Sequence, residues 1–327
     1  MHYRTLGKTS WQVSEVSLGT WQVGGRWGSP FDARLAADTL HQAIDLGVNF
    51  IDTADVYSDG LSERIVGEVV RSRPEQVYVA TKCGRRLSPH VASGYTAASI
   101  QAFAEDSLRN TGLDCLDLIQ LHCPPTAVYG DAAVFDALDA LQAAGKIRHY
   151  GVSVETVDEA MQAIRYPGVA TVQIIFNMMR TKPAEVFFDA AQAAGVGVLA
   201  RVPLASGLLT GRLRADTNFD AGDHRHFNRE GAAFDKGETF SGVPYEVGLQ
   251  VAGELQEALG DRPLAQAALR WVLMFGAVSC VIPGASHPAQ VRDNVAASAL
   301  PPIPPTAMQA VQAIYDRHLR PIIHPQW

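Results

Sequence analysis

Four polar side chains interrupt otherwise apolar stretches. Asp52 ends Phe50-Ile51-Asp52, Lys82 ends Val77-Tyr78-Val79-Ala80-Thr81-Lys82, His122 follows Leu116-Asp117-Leu118-Ile119-Gln120-Leu121, and Tyr57 lies just beyond Asp52. A phenol is a poor acid near neutrality, with an unperturbed pKa of about 10, but an ammonium beside it favours phenolate and eases loss of the proton. Lys82 can supply that charge to Tyr57, and Asp52 can hold the ammonium by ion pairing. His122 can donate a hydrogen bond to a substrate oxygen or relay the proton. None of the four is a strong nucleophile, so the set suits protonation of an oxygen that is gaining charge. Protonating a carbonyl oxygen demands a partner that attacks the carbon, and a hydride donor is the natural one.

These residues can meet only if the segments carrying them are neighbours. The double proline Pro124-Pro125 ends the apolar run at His122, which puts the imidazole where a buried strand gives way to a loop. The same alternation of strand and helix recurs along the chain. A small hairpin over residues 3–15, around Gly7-Lys8-Thr9-Ser10, precedes a first strand at Val16–Gly19. Further strands follow at Phe50–Asp52, Val77–Lys82, Leu116–Leu121, Arg148–Ser153, Thr171–Ile175, Val196–Ala200 and Val278–Ile282. Between them, apolar residues at helical spacing predict helices that stop at Gly47, near Gly112 and at Gly145, or start at Pro183. Eight strands alternating with helices, without the topological break of an open sheet, predict a (β/α)8 TIM barrel as one domain over residues 1–327. In such barrels the chemistry sits at the carboxyl ends of the strands, where Asp52, Lys82 and His122 fall.

Residues 205–243 break the rhythm, with many Gly, Asp, Asn, Arg and His and no sustained periodicity. A connection this long predicts a functional loop at the barrel mouth. The prolines at 301, 302, 304 and 305 predict a linker to a short final helix and tail over 301–327.

Composition excludes several classes. A net charge of −7 without a Lys/Arg cluster argues against nucleic acid. The amino-terminal residues lack an apolar signal region, and no apolar run is long enough to span a bilayer, so a cytoplasmic location away from membranes is expected. Cys83, Cys115, Cys123 and Cys280 have no C-x-x-C spacing, which predicts reduced thiols and no metal knuckle. Gly195-Val196-Gly197-Val198-Leu199-Ala200 imitates a dinucleotide fingerprint, but a helix precedes it and a strand follows, the reverse of what the fingerprint needs. His224-Arg225-His226 imitates the H-x-H pair of metal-dependent barrel hydrolases, yet it lies deep in the long loop without a matching set of strand-end ligands, so no metal is expected.

Several stretches together resemble the aldo-keto reductase superfamily: Phe50-Ile51-Asp52-Thr53-Ala54-Asp55-Val56-Tyr57, Ala80-Thr81-Lys82-Cys83-Gly84, Ile119-Gln120-Leu121-His122, Gly151-Val152-Ser153, Val172-Gln173, Pro203–Gly211 and Ile282-Pro283-Gly284-Ala285-Ser286. The resemblance covers almost the whole chain in order. It implies a barrel that binds NADPH, with NADH the second candidate, and reduces an aldehyde or ketone or runs the reverse dehydrogenation. Tyr57 would be the general acid, with Asp52, Lys82 and His122 completing a tetrad. The resemblance also implies cofactor contacts. Gly19, Thr20, Trp21 and Asp52 would lie beside the nicotinamide, and Ser153 and Gln173 would bind its carboxamide. Pro203, Leu204, Ser206, Gly207 and Arg212 would form the pyrophosphate loop, and Gly284, Ser286, Gln290 and Asn294 the adenosine end, at a helix amino terminus. Three features depart from the pattern: Val154 stands where relatives carry Asn; Arg201 stands where an aromatic ring stacks on the nicotinamide, a place a planar guanidinium can also take; and no basic residues flank Ser286 to hold a 2′-phosphate, which leaves Arg212, Arg292 or a loop Arg for it.

For the substrate pocket, Trp21 and Trp27 are candidate walls, and His224, Arg225 and Asn228 candidate donors suited to a hydroxylated or anionic carbonyl compound such as a sugar derivative. The competing function is a cofactor-sensing accessory subunit like the potassium-channel β subunits, which the Gly284-Ala285-Ser286 motif also resembles.

Overall fold

The structure is a computed structural model that describes all 327 residues. Strands β1 (Tyr3–Thr5) and β2 (Gln12–Ser14) form the antiparallel hairpin. Eight further strands run parallel in strict chain order: β3 (Leu18–Gly19), β4 (Phe50–Asp52), β5 (Tyr78–Cys83), β6 (Leu116–His122), β7 (Ile147–Ser153), β8 (Val169–Ile175), β9 (Gly197–Arg201) and β10 (Val278–Val281). The ring closes where Ser17 N–H donates to Val281 O at 3.0 Å and Gly19 N–H to Pro283 O at 3.0 Å, with parallel bridges Val16–Val281 and Gly19–Gly284. This is the expected (β/α)8 barrel, and each predicted strand lies within about two residues of its observed position.

The helices start and stop for local reasons. Asp32 caps Ala33–Asp45 by accepting from Leu35 N–H at 3.0 Å, and Thr156 forms a capping box with Glu159 ahead of Val157–Ala163. Gly112, at φ 63°, closes Ala97–Thr111, and Pro183 opens Pro183–Ala193.

Period-two alternation divides the barrel interior into layers. Phe50, Ala80, Leu118, Leu199 and Cys280 pack with Leu6 and Val13 of the hairpin, which plugs the amino-terminal end of the barrel. Gly7 makes that plug possible: its φ is +48°, and a Cβ there would collide with the backbone at Gly195–Gly197. Two residues further along the same strands, the inward positions turn polar: Asp52 on β4, Lys82 on β5 and Gln120 on β6. The chain thus changes from oil to ions within one layer, at the carboxyl end of the strands.

The segment 205–243 is not featureless. It folds into short turns at Ala205–Thr210, His224–Phe227, Lys236–Glu238 and Phe240–Gly242, and lies as a strap over the barrel mouth. The tail helix is longer than expected: Pro305–His318 runs fourteen residues, packs on the helix Tyr245–Leu259 and is followed by one short helical turn at Arg320–Ile323. Pro304 and Pro305 do not form a linker but start that helix, where a missing N–H costs nothing. No helix is long and apolar enough to cross a membrane.

Candidate active site

Asp52, Lys82, Tyr57 and His122 converge at the mouth. Lys82 is 1% exposed and uses all three N–H bonds: one pairs with Asp52 Oδ1, one goes to Thr53 O at 2.9 Å, and one to the Tyr57 hydroxyl oxygen at 3.2 Å. The imidazole of His122 stands edge-on to the Tyr57 ring, with centroids 5.9 Å apart. Its Nδ1 is buried without a partner. The backbone holds Tyr57 in place at some cost, since Ser58 and Asp59, immediately after it, adopt left-handed φ values of 47° and 53°. Arg86 steadies this turn by donating to Asp55 O at 3.1 Å and Asp59 Oδ1 at 3.0 Å.

Two residues outside the expected tetrad complete the support of Asp52. Its Oδ2 accepts from Gln173 Nε2 at 2.8 Å and from Gln120 Nε2 at 3.3 Å. Gln120 lies in register with Lys82 on the adjacent strand, so its place as an inward polar residue two positions before His122 was a usable signal.

Burial opposes the ammonium of Lys82, yet Asp52 and the Tyr57 oxygen keep its pKa above the usual value. Burial pushes the Tyr57 phenol up, and Lys82 pulls it down without overcoming that. The expectation of a phenol made more acid than usual is therefore corrected: the ammonium limits a rise that burial would otherwise enlarge. Burial, followed by the charges of Arg85, Lys82 and Arg201, holds His122 well below its ordinary value. His122 is a neutral imidazole, able to donate one hydrogen bond but not to act as a cationic acid.

Two adjoining cavities of about 250 and 400 Å³ share Trp21, Val56, Tyr57 and Phe234. Trp27 and His224 line the smaller, and His122, Cys123, Arg85, Glu155 and Glu238 the larger. Trp21 stacks near Tyr57 at 6.2 Å between centroids and near His224 at 4.7 Å. Arg225 and Asn228 line neither cavity. Arg225 pairs with Asp223 and lies over Trp27, while Asn228 is fully buried and holds the strap through Thr239 Oγ1 and the N–H groups of Ala233 and Phe234. Their donors are spent on shaping the strap.

The cofactor positions expected from sequence are distributed over the same rim. Gly19 and Thr20 end β3, with Thr20 Oγ1 donating to Asp52 O at 3.0 Å. Ser153, the last residue of β7, lies in register with Gln173, two residues before the end of β8. After β9, Val202, Ala205 and Ser206 all take left-handed φ values, unusual for residues with side chains, so Pro203, Leu204, Ser206 and Gly207 sit on a strained loop of the kind that cradles anions. Ser206 Oγ also donates to Glu238 O at 3.2 Å, and Arg212 is exposed with no side-chain partner. Gln290 Oε1 accepts from Ser286 N–H at 2.7 Å, and Asn294 Nδ2 donates to Gly284 O at 3.2 Å, ordering the start of the helix Pro288–Val295. These donors fit a dinucleotide, with two exceptions. Val154 is buried and offers no side-chain donor, and Arg201 is committed to Glu155 at 2.9 Å and Val154 O at 3.0 Å rather than free to stack. Cys123, Glu155 and Glu238 bring potential metal-ligand atoms within 4.8 Å of one another, but Arg85 and Arg201 already take up both carboxyls.

Comparison with known proteins agrees with this geometry. The profile of the Aldo/keto reductase family matches residues 15–316. The NADH-specific methylglyoxal reductase of Escherichia coli is 30% identical, over 89% of this chain and 92% of its own. A probable voltage-gated potassium channel subunit beta of Arabidopsis thaliana is 27% identical, over 98% and 99%. The solved glycerol dehydrogenase of Gluconobacter oxydans superposes with a TM-score of 0.78 at 31% identity, over 99% of this chain and 98% of that one. A family match across nearly all of the barrel, over a mouth built from an acid, a base, a phenol and an imidazole, makes this chain an oxidoreductase of the aldo/keto reductase family.

Proposed function

We propose that the protein reduces a small aldehyde or ketone with NADPH, or runs the reverse oxidation of an alcohol or sugar, with Tyr57 as the general acid. One observation carries the reading: Lys82 donates to the Tyr57 oxygen, so the phenolic O–H is left to face the cavity. When bound, the nicotinamide supplies or accepts hydride at the carbonyl carbon. Tyr57 gives its proton to the carbonyl oxygen, Lys82 stabilises the phenolate that results, and Asp52 fixes the ammonium. His122, kept neutral, donates to the same oxygen and orients it. Trp21, Trp27 and Phe234 exclude water and wall the substrate.

Ser153 and Gln173 would hold the carboxamide, the loop 203–212 the pyrophosphate, and Gly284, Ser286, Gln290 and Asn294 the adenosine. NADPH is the cofactor proposed, with exposed Arg212 on the loop after β9 as the cation for the 2′-phosphate; the NADH-specific relative makes NADH the alternative. A hydroxylated substrate, including a sugar-derived carbonyl, suits a larger cavity lined by Glu155, Asp235 and Glu238. The channel-subunit relative supports a second reading, a cofactor sensor. Following nicotinamide absorbance with both cofactors across aldehydes, ketones and sugars separates the two: turnover of any carbonyl supports the reductase, and tight cofactor binding without turnover supports the sensor.

A further inference from the structure

Four ionisable side chains, from the loops after β5 and β7, the end of β9 and the strap, form a closed ring beside the larger cavity. Arg85, after β5, pairs with Glu238 of the strap and lies 3.3 Å from Glu155, which follows β7. Arg201, at the end of β9, lies 2.9 Å from Glu155 and 3.8 Å from Glu238. Arginine and glutamate alternate around the ring, burial holds the Glu155 carboxyl above its usual range while Glu238 stays ionised between the two guanidiniums, and all four groups are largely withdrawn from water. Arg85 also reaches the end of β6: its Nε donates to the carbonyl oxygen of His122 at 3.3 Å.

We infer that Arg85 is a positioning residue that ties the strap to His122, so that closure of the strap and placement of the imidazole are one event. The inference rests on the proposed role of His122 but not on which carbonyl compound is turned over. Two physical effects follow from the geometry. The fork of the guanidinium fixes the end of β6 against Glu238 and Glu155, a three-point grip that a single ammonium cannot reproduce. Its charge also faces the imidazole, together with Lys82, Arg201 and His90; Tyr57 stands edge-on to the ring, Cys123 is the next residue, and Glu155 and Glu238 offset Arg85 from its far side. Removing Arg85 therefore loosens His122 and lets it take a proton more readily, whereas lysine keeps the charge and loses the grip.

The test is an NMR titration of the His122 imidazole, assigned by the signal missing in His122→Asn, in the wild type, Arg85→Lys and Arg85→Gln, alongside turnover of a neutral aldehyde. The wild-type and Arg85→Lys imidazoles should titrate well below the ordinary histidine range, and Arg85→Gln should move the His122 titration measurably upward. Arg85→Lys should still lose roughly ten- to a hundredfold in kcat, with KM changed by less than about threefold. An unchanged titration in Arg85→Gln, or full kcat in Arg85→Lys, overturns the inference. Should the wild type turn over no carbonyl at all, the reductase reading fails, and the titration and the Arg85→Lys spectrum still decide whether Arg85 governs His122.

Discussion

The ammonium of Lys82 sits 3.2 Å from the Tyr57 hydroxyl oxygen and 4.8 Å from the centroid of its ring. Because the lysine is the donor, the phenolic hydrogen remains unclaimed by the protein. With Asp52 and Thr53 O taking the other two N–H bonds, Lys82 has no freedom to turn elsewhere. The arrangement is preorganised for a proton leaving Tyr57 toward the cavity.

Removing one partner of the Asp52–Lys82 pair leaves an uncompensated charge in a site almost closed to water. Lys82→Met should lower stability by about 3–5 kcal/mol, and Asp52→Asn added to it should recover much of that loss. Denaturant unfolding of both variants checks the prediction. Additive losses would show that the two groups do not act as a pair.

The pH dependence has a definite shape. His122 titrates well below 6.5 and the Tyr57 phenol above 10, so both are in their working forms throughout the neutral range. For carbonyl reduction, kcat/KM should be flat from about pH 6 to about pH 9 and fall only as the phenol ionises. A plateau that broke near pH 6.5, and lost that break in His122→Asn, would show that the imidazole titrates in the free enzyme.

Much of this site was legible in the sequence because strand ends are local signals. Phe50-Ile51-Asp52 and the run to Lys82 each put an apolar residue and a polar one on the same inward face, two residues apart, and the barrel rule then brings the polar ends together. The ion ring was not legible. Arg85, Glu155 and Glu238 come from loops and Arg201 from a strand end, and nothing in their neighbours' periodicity tells one such charge from another. Asn228 misled for the same reason: an amide in a polar loop looks like a ligand donor until the loop is seen to wrap around it.

Asp55 is 2% exposed, and one of its oxygens has no partner. Burial, followed by repulsion from Glu63, raises its pKa from 3.8 to about 7. The folded state thus holds this proton more tightly than the unfolded chain. The stabilising contribution is full below pH 3.8 and is lost as pH rises through about 7. Asp55→Asn should therefore raise stability at pH 8 by about 1–3 kcal/mol, read as a higher melting temperature, and change it little at pH 4. Equal shifts at both values would contradict the assignment.

Trp327 is 7% exposed; its Nε1 donates to Asp235 Oδ1 at 3.0 Å, and Arg180 lies 4.5 Å over its ring. Gly237 and Gly242 leave space for that indole under the strap. Trp327→Ala should cost about 3–5 kcal/mol and make residues 231–243 the first site of proteolytic cleavage. Cleavage elsewhere at unchanged stability would show that the strap does not depend on the indole.

The central claim is that the Tyr57 O–H delivers the proton while hydride reaches the carbon. Tyr57→Phe removes one oxygen and keeps the ring against Trp21 and His122. Single-turnover reduction of an aldehyde by this variant, measured beside cofactor binding by tryptophan fluorescence, should slow by roughly 10²–10⁴-fold while the cofactor Kd changes by less than about threefold. Reduction at the wild-type rate with the cofactor bound would contradict the account.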